Sequence, residues 1–163
     1  MLPDHPPQGR DAAMQWTTIL IIAGAGMFIL GLVVSAILDP RIRVLHTLQV
    51  LPYFVIAALA VKNSPWVLGA GTGIAVFWNY LWLHQVSQIA SWTDPSLLMT
   101  LLPAGGHFAI ITGCVAAFLR TRPGIPHWMR FSSGGMISVA YLVAIVVAAG
   151  PQYIGLLRQA FGV

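Results

Sequence analysis

Three histidines stand inside otherwise apolar stretches of this sequence, His46, His84 and His107. An imidazole in hydrocarbon persists only where a partner satisfies it, so each position needs an explanation. Helical steps of three, four, seven and eleven give each ring a neighbourhood. His46 shares a face with Gln49, Val50 and Tyr53, while His84 shares one with Tyr80, Phe77 and Gly73. His107 follows Ala104, Gly105 and Gly106, with Pro103 four residues earlier. Proline frees a helical carbonyl, and the glycines leave room for something flat or for a close helix.

Two kinds of chemistry fit such positions. Imidazole is an axial ligand to haem or a chlorin, and Tyr53, Tyr80 and Trp82 supply rings that stack on a macrocycle or a quinone. On that reading His46, His84, His107, Tyr53, Tyr80 and Trp82 form the cofactor-binding set. The competing reading has each histidine hydrogen-bonded to a Tyr, Gln, Asn or Ser across the bundle, with glycines serving close helix packing. A copper or zinc site lacks supporting carboxylate or thiolate beyond Cys114.

The missing residues exclude more. The sequence has no glutamate, and its four acids, Asp4, Asp11, Asp39 and Asp94, lie in the N-terminal tail or at expected helix starts. Paired-carboxylate catalysis is therefore excluded, and a carboxylate-driven proton transporter is disfavoured. No nucleophile elbow, zinc-protease motif or phosphate loop is present, so nothing supports an enzyme.

The elements that position these residues are membrane helices. Of 163 residues 58% are hydrophobic and 7% charged, too few charges to cover a water-soluble domain. A crossing needs about 20 apolar residues. Five runs qualify, at about 16–38, 44–61, 66–86, 97–119 and 131–150, the last ended by Pro151. Residues 1–15 read as a polar tail and not as a cleaved signal peptide, because Asp4 and Asp11 interrupt it and the following run exceeds a signal core.

Asp39-Pro40, Ser64-Pro65 and Asp94-Pro95 each pair a capping residue with a proline suited to the first helical turn. Short connections then make neighbouring helices antiparallel, and the expected fold is an all-α, compact bundle of five transmembrane helices. In an antiparallel second and third helix, His46 and His84 share one level near the membrane boundary and can face each other. At 1.5 Å per residue, His107 lies about 15 Å deeper, near the midplane.

Arg10, Lys62, Arg120, Arg122 and Arg130 fall on one side, against Arg41, Arg43 and Arg158 on the other. The bias predicts a cytoplasmic N-terminus, with a bacterial inner membrane as the expected location. The cations sit between apolar runs rather than on one face, so nucleic acid is not an expected partner. Trp16, Trp66, Trp92 and Trp128 fall near expected boundaries, and Trp78 with Trp82 reads mainly as interfacial anchoring. Gly69-x-x-x-Gly73 permits close helix approach within the bundle first and in a homodimer second.

Ser64-Pro65-Trp66-Val67-Leu68-Gly69, followed by Trp78-Asn79, resembles the signature of the SPW-repeat membrane proteins, in one copy. The resemblance implies no defined chemistry, and no residue role is taken from it. The function expected from the residues is a non-catalytic membrane subunit or assembly factor of a larger respiratory or photosynthetic complex. Its expected partners are lipid and other membrane subunits; the cofactor is left open, a haem, chlorin or quinone being what the histidines could hold. The alternative is a small homo-oligomeric transporter or channel, with helix discontinuities at Pro52 and Pro103.

Overall fold

The computed structural model describes residues 8–40, 43–86, 96–120, 129, 131–136, 138–140, 143, 154, 155 and 158; for 8–14, 80–86, 96–100 and 120 only the backbone is described. The chain is all-α. Four helices run α1 (Gln8–Leu38), α2 (Arg43–Val61), α3 (Trp66–Val86) and α4 (Ser96–Arg120). A shorter apolar helix, α5 (Phe131–Ala140), follows.

Among the described residues, Gln15–Leu38, Arg43–Val61 and Leu101–Leu119 are long and apolar enough to cross a membrane. Their 24, 19 and 19 residues correspond to about 36, 28 and 28 Å of helix. Three candidate spans point to a multi-pass membrane protein in contact with the bilayer. The five-span bundle goes further than this. α3 has the bounds expected of the third span but is not among these three candidates, while 141–150 of the fifth run falls largely outside the described residues.

α1 begins at Gln8, inside the segment read as a tail. Arg10 to Gln15 contains no proline or β-branched residue and is made largely of good helix formers, so the first turns continue past the membrane-length run. The α1–α2 turn contains Asp39 and Pro40, and α2 opens at Arg43. Pro65 stands just before α3, and the first bonds of that helix run from the Val67 amide to the Ser64 carbonyl (3.1 Å) and from Leu68 to Pro65 (3.4 Å).

The end of α2 is fixed by Asn63 at φ 49°. Its amide donates to the Ala60 carbonyl (3.0 Å) and the Ser64 amide to Leu59 (2.9 Å), a paired closure that satisfies carbonyls the helix would otherwise leave open. Asparagine tolerates the left-handed conformation this needs. The Thr18 hydroxyl lies 3.4 Å from Asn63 Oδ1, so the start of the α1 span and the end of α2 share one end of the bundle.

Packing does not follow the chain hairpin by hairpin. α1 packs most extensively on α4 and then on α2, α3 lies chiefly on α4, and α2 and α3 touch only slightly. A glycine seam explains the α1–α4 pairing. A Cβ at Gly106 would stand 2.5 Å from the Gly24 carbonyl oxygen and 3.0 Å from the Phe28 amide nitrogen. One at Gly113 would meet Ile21 Cγ1 at 2.7 Å, and one at Gly31 the Pro103 ring at 2.8 Å. The pairs Gly24 with Gly31 and Gly106 with Gly113 are each two helical turns apart, so both helices present a small-residue stripe and run antiparallel.

α3 uses its own glycines against α5. A Cβ at Gly69 would overlap the Phe131 carbonyl, and one at Gly73 would lie 3.2 Å from Ser138 Cβ. Ser138 Oγ lies 2.9 Å from the Ala70 carbonyl and 2.9 Å from its own helix at Gly134. The Gly69-x-x-x-Gly73 pattern is thus used within the chain. Ile21, Phe28, Tyr53, Ile56, Ile74, Ile110 and Cys114 form one buried core among the first four helices.

Candidate functional site

Tyr53 and His107 meet in that core. The phenol oxygen and the imidazole Nε2 are 2.6 Å apart, at the short end for such a bond, and link α2 to α4. Tyr53 is 0% and His107 1% exposed. Tyr53 falls near the middle of its candidate span Arg43–Val61, and His107 about a third of the way along Leu101–Leu119.

Phe28 of α1 completes the arrangement. Its ring stacks on Tyr53 with centroids 4.0 Å apart and lies 4.2 Å from the His107 ring. Trp78 of α3 is tilted against Phe28 at 6.3 Å, with Phe77 edge-on to Trp78 at 5.5 Å. Trp78 is partly buried and packed against the core. α1 is held over the pair by the seam, because Gly106 precedes His107 and touches the Gly24 to Phe28 turn directly.

The room that the glycines leave is filled by a helix. Gly106 faces the α1 backbone, and Gly105 faces Met27 Cε at 3.1 Å, the tip of a flexible side chain. A macrocycle ligated by His107 would have to displace Phe28 and break the Tyr53 bond. Among the described residues the His107 Nδ1 has no hydrogen-bond partner.

His46 lies elsewhere, half-buried near the α1–α2 turn, with the Leu32 backbone and Asp39 in its surroundings. Its Nδ1 also lacks a hydrogen-bond partner among the described residues. Gln49, one turn further along α2, is buried at 4% exposure, so the expected His46, Gln49, Tyr53 face does turn inward. The side chains of Tyr80, Trp82 and His84 lie outside the described residues. The expectation that α2 and α3 are packed neighbours meets a slight contact instead, since α2 packs chiefly on α1 and α3 on α4.

Among the described residues no three His, Cys, Asp or Glu side chains converge in a way that could hold a metal ion. Cys114 is fully buried, its Sγ 3.6 Å from the Val67 carbonyl. Phe28 and the Gly24–Gly106 contact were missed in the sequence reading. The signal that could have found them was the matched seven-residue glycine spacing on the first and fourth helices.

No protein-family model matches the chain, and neither curated proteins nor solved structures provide a match. The resemblance around Ser64 to Asn79 therefore has no family model behind it.

Proposed function

We propose that the chain is a non-catalytic integral membrane subunit or assembly factor of a larger energy-converting membrane complex. The observation that carries this reading is the closure of Tyr53 on His107 in the core. Polar side chains able to do chemistry at mid-span are turned inward and joined helix to helix, as in a scaffold. Outward faces remain apolar along several helices, with Leu51, Phe54 and Val55 on α2 and Leu101, Phe108 and Val115 on α4 all exposed. Such faces suit lipid and the apolar helices of partner subunits.

On this proposal a haem, chlorin or quinone sits at the level of His46 and His84, and His107 serves the bundle rather than a ligand. Support for that division is steric: Phe28 and Tyr53 already occupy the surroundings of His107. The N-terminus is proposed to be cytoplasmic, from the bias of the basic connections.

The test is mild solubilisation of the native membrane followed by native electrophoresis and absorbance spectroscopy. Co-migration with respiratory or photosynthetic subunits, with a cofactor band reduced by His46→Ala or His84→Ala, is the expected result. A colourless species migrating alone, together with solute flux after reconstitution into proteoliposomes, would replace the proposal with the transporter reading.

A further inference from the structure

Among the described residues, His107 holds an unmet hydrogen-bonding group whichever way its proton is placed. If Nε2 accepts from the Tyr53 hydroxyl, Nδ1 carries the proton and is a donor without an acceptor. If Nε2 donates to the phenol oxygen, Nδ1 is an acceptor without a donor. The residue is 1% exposed, so neither lipid nor bulk solvent resolves the deficit. Buried groups of this kind usually take a bound water.

A line of polar side chains on α2 leads toward this ring. His46, Gln49 and Tyr53 lie within about 60° of arc on one helix face and rise about 10 Å from the Asp39 end of the bundle to the His107 level. His46, half-buried with Asp39 nearby, stands at the rim and has its own unmet Nδ1. Gln49 is buried between the rim and Tyr53, in a position where an apolar residue would seal the core. α4 adds an acceptor: Pro103 has no amide hydrogen, so the Met99 carbonyl lacks its usual helical donor between the same end of the bundle and His107.

We infer that water enters the bundle from the Asp39 end along His46, Gln49 and Tyr53 and occupies a site on His107 Nδ1. The ligand class is water, and the path is a half-path that ends at the midplane. Beyond Tyr53 the same face of α2 continues as Ile56 and Ala60, buried at 1% and 2% exposure, which closes the other half. The inference is independent of whether the chain is a subunit or a transporter, because it concerns solvent access alone.

Exchange of the imidazole C2 hydrogen in D2O, followed by mass spectrometry on the protein in phosphatidylethanolamine and phosphatidylglycerol vesicles, reads water at each ring. The wild-type chain is expected to exchange at His107 as well as at His46. Gln49→Leu should slow His107 by about tenfold or more while leaving His46 unchanged, and Gln49→Asn should restore the wild-type rate. Exchange through global opening would instead be insensitive to Gln49. No exchange at His107 while His46 exchanges completely would overturn the inference, as would a His107 rate that Gln49→Leu leaves untouched. If Gln49→Leu does not fold, Gln49→Met takes its place with the same expected slowing at His107, and a wild-type chain unexchanged at His107 overturns the inference without any variant.

Discussion

Adding one methyl group at Gly106 should loosen the whole bundle, whereas the same change at Gly26 should strengthen it. The Gly106 Cβ would stand 2.5 Å from the Gly24 carbonyl oxygen and 3.0 Å from the Phe28 amide nitrogen. Both atoms are backbone, so no rotamer relieves the overlap. Ordinary contact needs about 3.4 Å, so α1 and α4 must separate by close to 1 Å, opening packing along both helices. Overpacking of this kind costs about 1 to 3 kcal/mol. At Gly26 nothing lies within 4 Å of the added atom. There the only effect is the higher helix propensity of alanine, a gain of up to about 1 kcal/mol. The assay is unfolding in detergent micelles by heat or by sodium dodecyl sulfate, comparing Gly106→Ala, Gly26→Ala and the parent chain. A Gly106→Ala protein as stable as the parent would show that α1 and α4 do not meet at this seam, and the account of the core would fail with it.

Gly69→Ala should be more damaging than Gly73→Ala by about 1 kcal/mol or more, because the first collides with the Phe131 backbone and the second only presses on Ser138 Cβ; equal stabilities in the same unfolding assay would contradict this. Ser138→Ala removes the interhelical bond to the Ala70 carbonyl and should cost about 0.6 to 2 kcal/mol, the range for such bonds in membranes; an unchanged unfolding midpoint would refute it. In a Cys114→Ser background, Lys62→Cys, at an exposed position just past α2, should react with an impermeant thiol reagent from the cytoplasmic side; reaction only from outside would reverse the proposed orientation.

The helix limits were legible because their causes are local. Ser64-Pro65 marks the start of α3 and Asn63 the end of α2, since proline and left-handed asparagine act within a residue or two of themselves. The start of α1 was misread because a run of polar residues was equated with a tail, though Arg10 to Gln15 is as good a helix as the span it precedes. The inward face of α2 was also legible, as helical spacing alone places His46, Gln49 and Tyr53 together. What that face meets was not. Chain order favoured α3 as its neighbour, but a hairpin connection constrains only ends, while backbone contact at Gly24 and Gly106 constrains the middle of two helices distant in sequence. That contact draws α4 into the position from which His107 reaches Tyr53. The histidine was identified and its depth estimated, and its partner depended on a pairing that periodicity within one helix cannot encode.

The bond between Tyr53 and His107 is the centre of the account, and solid-state nuclear magnetic resonance tests it directly. With 13C-tyrosine and 15N-histidine incorporated into the lipid-embedded protein, the account predicts a strong dipolar correlation between Tyr53 Cζ and His107 Nε2, as an oxygen to nitrogen separation of 2.6 Å requires. Tyr53→Phe should shift the Nε2 resonance and leave that of His46 in place. A His107 ring with no Tyr53 correlation, or with Nε2 carrying the signature of a metal ligand, would contradict the account.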